Sequence, residues 1–235
     1  MPGLTRRSLL GSCAVVSACA APNYAPVMTH PATPPPVAVR PGAWTFFTAD
    51  EGAAVEAMVD RIIPPDDLSA GGRDAGCALF IDRQLAGAYG SSAMLYMRPP
   101  FADGLPGQGP QSPLTPAARY RAALAAVDKY CRAAFIGRGF AQLGAEQQDR
   151  ILDQLEHSAI QLDGANARAF FELLLRDTME GFFADPIYGG NADMTAWRMI
   201  GFPGTRYDYR GWVTRHNETY TLPPVGLAGR AAWTP

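Results

Sequence analysis

Catalysis needs titratable or nucleophilic side chains that converge, and few residues of this chain are spaced to do so. Its three histidines are scattered: His30 in a proline-rich stretch, His157 on a helix flank and His216 near the C-terminus. A lone histidine on an amphipathic helix reads as a solvated face residue rather than a base or ligand. The paired spacing H-E-x-x-H that would hold a metal is absent, as are C-x-x-C and C-x-x-C-H. Gly137-Arg138-Gly139 has the start of a dinucleotide loop, but no strand pattern precedes it and the next glycine is Gly144, so it reads as a turn between helices. Asp60-Arg61 and Arg176-Asp177 are opposite charges on consecutive helical residues. Such neighbours face different directions, which predicts salt bridges on the surface or to other helices. Glu180 is a candidate acid without a visible partner. No catalytic, cofactor-binding or metal-binding residue is expected in this chain, and its chemistry is expected in another polypeptide.

The elements around these residues begin with a leader. Thr5-Arg6-Arg7-Ser8-Leu9-Leu10 has the pattern of a twin-arginine export signal, followed by a mildly apolar run from Leu9 to Ala21. At about 1.5 Å per residue that run is too short to cross a hydrocarbon layer of roughly 30 Å, so it reads as a signal h-region. The twin-arginine route carries folded cargo, which points to assembly before export. Ala18-Cys19-Ala20 fits ordinary signal cleavage, whereas Val16-Ser17-Ala18-Cys19 fits a lipoprotein box that would leave Cys19 lipidated. Both readings stay open.

Loss of residues 1–20 leaves 18 basic and 22 acidic residues, a net charge of −4, which excludes a nucleic-acid footprint. Cys77 and Cys131 are the cysteines of the globular part. They are open to either a disulfide in an oxidising compartment or two buried thiols. Residues 21–44, with Pro34-Pro35-Pro36 at their centre, read as a disordered polyproline-like tether. What remains has the length for one domain with a real core.

Helical signals dominate that domain. Thr48-Ala49-Asp50-Glu51 is a capping box with Phe47 placed as a staple, and Val55, Met58, Val59, Ile62 and Ile63 follow at helical spacing until Pro64-Pro65. A second helix is expected over Asp74 to Ala88. Residues 90–114 form a long Gly/Pro loop of the kind that binds something or is disordered. Thr115-Pro116 opens a third helix, and Glu146 to Glu156 makes a fourth. Ala165 to Phe183 is apolar nearly all round and is expected to be the central helix. A short helix over Met194 to Met199 presents Trp197. The predicted fold is mainly α, an irregular single-domain helical bundle over residues 45–204. Residues 205–235 form an extended aromatic tail, with Tyr207, Tyr209, Trp212, Tyr220 and Trp233 suited to packing on a partner or back on its own domain.

One segment is more specific. Gly181-Phe182-Phe183-Ala184-Asp185-Pro186-Ile187-Tyr188-Gly189-Gly190-Asn191, continuing through Trp197 to Gly201-Phe202-Pro203-Gly204, resembles the signature of the gluconate 2-dehydrogenase subunit 3 family. The resemblance extends to the twin-arginine leader, the Asp60-Arg61-Ile62-Ile63-Pro64 helix end and Ala70-Gly71-Gly72-Arg73-Asp74-Ala75-Gly76. It implies a non-catalytic small subunit of a membrane-associated dehydrogenase. The FAD-binding large subunit would oxidise a sugar or polyol, and a multihaem cytochrome c subunit would carry the electrons away. The small subunit would aid folding and stability of the flavoprotein and lead it through the twin-arginine translocase. The complex would then sit in the periplasm, on the outer face of the inner membrane. Tyr188, Gly189, Gly190, Asn191, Trp197, Phe202, Tyr207, Tyr209 and Trp212 are the candidate partner interface. The same Gly turn could instead cap and buttress the central helix. A free-standing periplasmic lipoprotein with an unrelated partner is the alternative function.

Overall fold

The computed structural model describes residues 38–102, 104–108, 111–206 and 208–229. Cys19, Tyr207 and Trp233 lie outside them. Six α-helices make the architecture: α1 (Ala49–Ile62), α2 (Cys77–Ala86), α3 (Pro116–Ala134), α4 (Ala145–Glu156), α5 (Ala167–Phe183) and α6 (Thr195–Ile200). Among the described residues there are isolated bridges but no strands, and no helix is long and apolar enough to cross a membrane.

Local chemistry sets the helix ends. Thr48 and Glu51 form the expected capping box on α1. Thr115 caps α3 through Ala118 N, with Pro116 at the first turn. Two helices are shorter than their apolar spacing predicts. Gly76, in the left-handed region at φ 78°, cuts the start of α2 back to Cys77, and Gly87 ends it at Ala86. Asn166 accepts from Ala169 N, so α5 starts at Ala167 rather than Ala165.

α5 occupies the middle, packed against α1, α2, α3, α4 and α6. The core joins Met58 and Val59 of α1, Ile81 and Leu85 of α2, Tyr120, Leu124 and Val127 of α3, Ile151 and Leu155 of α4, and Phe170, Leu174 and Phe182 of α5. Its apolar circumference is not fully covered, however. Leu175 and Met179 are 37% and 43% exposed, on an outer strip of α5 that also carries Arg176 and Glu180.

Within residues 38–44, which composition assigns to the tether, Val39 and Trp44 are half-buried on the domain. Val39 N donates to the Ile187 carbonyl at 2.8 Å. The buried Asp82 carboxylate accepts the backbone N–H groups of Thr45, Phe46 and Phe47, each at 2.9 Å, while Arg83 donates to the Ala43 carbonyl. A carboxylate fully removed from water is stable only when its lone pairs are satisfied, and this clasp satisfies them. The strap 38–47 is thereby tied to α2.

Candidate functional site

The Asp185–Asn191 block follows the C-terminus of α5, where carbonyl groups lose their helical partners. The block supplies new ones. Asn191 Nδ2 donates to the Ala184 carbonyl at 2.9 Å, and Trp197 Nε1 donates to the Phe183 carbonyl at 2.9 Å. Asn191 Oδ1 accepts Ala196 N at 2.9 Å, which ties the start of α6 to the same point. Asn191 sits at φ 47°, a left-handed conformation that asparagine tolerates better than most residues. Asp185 caps the turn through Ile187 N at 3.0 Å and also accepts Leu227 N at 2.8 Å.

Close backbone approach explains the glycines. A Cβ on Gly190 would fall 2.1 Å from the Gly181 carbonyl oxygen, and a Cβ on Gly76 would fall 2.5 Å from that of Gly189. The 70–76 loop and the block therefore meet backbone to backbone, joined by Ala192 N donating to the Ala75 carbonyl at 3.0 Å. Gly189 itself is seated against the side chains of Val39 and Leu79.

This geometry divides the candidate interface. Gly190, Asn191 and Trp197 are moved off the surface: they are buried and bound to α5, so their glycine turn and ring serve as buttress. Gly189 is half-covered by the strap. Tyr188 and Phe202 stay open, at 40% and 43% exposure, with Phe202 edge-on to Trp197. Ile200 and Met199 beside them are also exposed.

The tail returns to its own domain around Val225 and Leu227. Thr205 N donates to the Val225 carbonyl and Val225 N to the Pro203 carbonyl, which closes residues 205–225 into a loop. Within that loop Trp212 lies 4.7 Å from Tyr220, and Tyr209 lies 5.9 Å from it. Arg215 stands over Trp212. The described part of the tail is thus anchored on itself and its domain at its ends, with Trp212 and Tyr220 half-buried between them.

The charged neighbours resolve differently from one another. Arg61 reaches across to α4 and holds Asp149 bidentately at 2.6 and 2.8 Å. Asp177 turns inward, 2% exposed, and accepts the hydroxyls of Tyr89 at 2.9 Å and Tyr120 at 3.0 Å. Arg176 donates to the same carboxylate at 3.1 Å and to the Tyr89 hydroxyl at 2.6 Å. Burial raises the Asp177 carboxyl above its ordinary value, against the pull of Arg176 and the two hydroxyls. Burial first, and then the Asp177 charge, push both tyrosines upward. Glu180 has a partner after all, Arg176 at 3.7 Å, and burial raises its carboxyl. Chemically this network holds rather than reacts, because Asp177 and Tyr120 are sealed from solvent. Only Arg176, Glu180 and Tyr89 reach a cleft of about 660 Å³ beneath the 92–114 loop. Sequence spacing could not reveal the tyrosines, which join Asp177 from 88 and 57 residues away.

Gly137-Arg138-Gly139 is the turn after α3, with Gly137 at φ 78° and a helix, not a strand, leading into it, so it does not fit a dinucleotide pyrophosphate. No group of three or more metal-ligating side chains stands together among the described residues. His157 is exposed and contacts the Asp153 carbonyl of its own helix. Cys77 and Cys131 are both buried free thiols.

Compared with known families, residues 49–204 match gluconate 2-dehydrogenase subunit 3, more than half of the chain. The chain belongs to this family. Comparison with curated proteins and with solved structures gave no match. The subunit 3 match runs from the first turn of α1 to Gly204, so it contains the whole buttress and the Asp177 network. The strap before it and the aromatic lobe after it fall outside.

Proposed function

We propose that this chain is the non-catalytic small subunit of a periplasmic flavoprotein dehydrogenase of the gluconate, sorbitol, fructose or glucose type. In this role it supports the folding, stability and twin-arginine export of the FAD-bearing large subunit, and a cytochrome c subunit carrying haem receives the electrons. Membership of the subunit 3 family is the observation that carries the reading. Two features support it. Among the described residues, the titratable side chains that cluster around Asp177 and Asp82 are turned into the core or paired. The molecule also displays large apolar side chains, among them Met94, Tyr96, Ile200 and Val213, at 57–88% exposure, as a subunit with a partner would. The Arg6-Arg7 leader gives a folded flavoprotein that lacks its own signal a route across the membrane.

The test is co-expression of the dehydrogenase subunit with and without this chain. Flavin-loaded, dye-reducing enzyme in the periplasmic fraction only when the chain is present is the expected result. Full export and activity without it would overturn the reading.

A further inference from the structure

We infer that the groove over the outer strip of α5 receives a carboxylate-bearing apolar segment of the dehydrogenase subunit. The inference rests on the reading of this chain as an accessory subunit and assigns the surface that reading leaves unplaced. Gly190, Asn191 and Trp197 are buried against α5 and are not free to serve as that surface.

The groove is built from two adjoining cavities that share Ser112, Leu114 and Arg119. One, of about 230 Å³, is lined almost wholly by apolar groups, including Ala123, Ala169 and Phe170. The other is the cleft of about 660 Å³ that holds Arg176 and Glu180. Ala169, Leu173, Arg176 and Glu180 recur along α5 at one-turn intervals and make a common floor. From Asn166 to Glu180 that floor runs about 21 Å at 1.5 Å per residue, enough for about six residues of extended chain or four turns of helix. Leu95 and Leu114 of the lining stand on the rim at 68% and 46% exposure. Apolar groups left open along such a strip are a binding surface rather than a core.

Charge selects the occupant. Among the described residues the lining holds three guanidinium groups, Arg98, Arg119 and Arg176, and the carboxylate of Glu180, in a chain whose formal net charge is −2. Arg176 is also immobilised from below: Asp177 and Tyr89 hold its Nε and one Nη. A guanidinium fixed before binding loses little entropy on meeting a carboxylate, the property that makes arginine an interface anchor. An apolar segment with acidic residues matches both the floor and the rim.

The experiment measures capture of the purified dehydrogenase subunit by the full chain and by variants checked for an unchanged melting temperature. Arg119→Glu and Arg98→Glu each weaken capture about tenfold, and Ala169→Trp, which fills the apolar cavity from an exposed position, does the same. Arg119→Lys retains capture, as does Ile136→Asp, a change of an exposed apolar residue outside the groove. Wild-type capture by the groove variants overturns the groove and leaves the accessory role standing. Failure of the wild-type chain to capture the subunit overturns the accessory role and the groove with it. If the groove variants abolish self-association of this chain while capture persists, the occupant is a second copy and the inference is wrong.

Discussion

Gly190 lies against the backbone of Gly181, two residues before the end of α5, so tightly that a methyl group on Gly190 would stand 2.1 Å from the Gly181 carbonyl oxygen. The obstacle is backbone, which cannot swing aside as a side chain would. Gly190→Ala is expected to destabilise the fold by about 3 kcal/mol and lower the Tm by about 6–12 °C. Thermal unfolding followed by circular dichroism checks this, and an unchanged Tm would show that the two segments separate freely.

Trp197→Phe tests the same buttress while keeping an aromatic ring at the site. It removes the donor to the Phe183 carbonyl and leaves that oxygen without its partner. A loss of about 1–3 kcal/mol in urea denaturation is expected. Tyr188→Ala, at an exposed position of the same block, should cost less than about 0.5 kcal/mol.

The Asp177 carboxyl titrates above its ordinary 3.8 in the folded state, chiefly because it is buried. The folded protein therefore keeps this proton to higher pH than the unfolded chain does. The contribution to stability is complete below about pH 4 and declines as pH rises through the folded value. Asp177→Asn removes the titration and the charge that helps hold Glu180 up. The stability advantage of wild type over the variant, measured in urea from about pH 3 to about pH 8, should shrink as pH rises. A gap that widens with pH would mean that Arg176 and the tyrosines outweigh burial.

Burial pushes the Cys77 thiol up to about 12, and burial together with the Asp128 charge pushes Cys131 up to about 11. Since the thiolate is the nucleophile, neither should react in the folded protein. Iodoacetamide at about pH 8 should label both only after denaturation, as read by mass spectrometry. Absence of label even in denaturant, reversed by reductant, would reveal a disulfide.

Arg61 and Asp149 join α1 to α4 with both guanidinium and carboxylate partly solvated, 28% and 49% exposed. A double-mutant cycle with Arg61→Ala and Asp149→Ala should give a coupling of about 0.5–1 kcal/mol that falls with added salt. Arg61→Lys should lose much of it, because an ammonium cannot grip both oxygens.

The elements that announce themselves locally were the readable part of this fold. Thr48 with Glu51, and Thr115 with Pro116, are helix starts spelled within four residues, and the apolar density of Phe170 to Phe183 marks the central helix. The family block was legible as a pattern, but the direction of its side chains was not. An asparagine and a tryptophan after a helix end can face a partner or serve the orphan carbonyls, and only the placement of Asn191 against Ala184 decides. The Asp177 network and the Asp82 clasp were out of reach for another reason: their partners meet across loops whose path no periodicity encodes. No spacing marks Asp82, and Ala43, which the neighbouring Arg83 binds, lies in the stretch that reads as tether.

That clasp determines how the domain answers to tension. A pull on the N-terminal segment first loads the hydrogen bond from Val39 to Ile187, then the fan of amides on Asp82. Three donors converging on one carboxylate must yield almost together, so the strap resists as a unit before any strain reaches the first turn of α1. Towing the protein by its leading end would thus strip the strap from Ile187 and leave the helices undisturbed behind it.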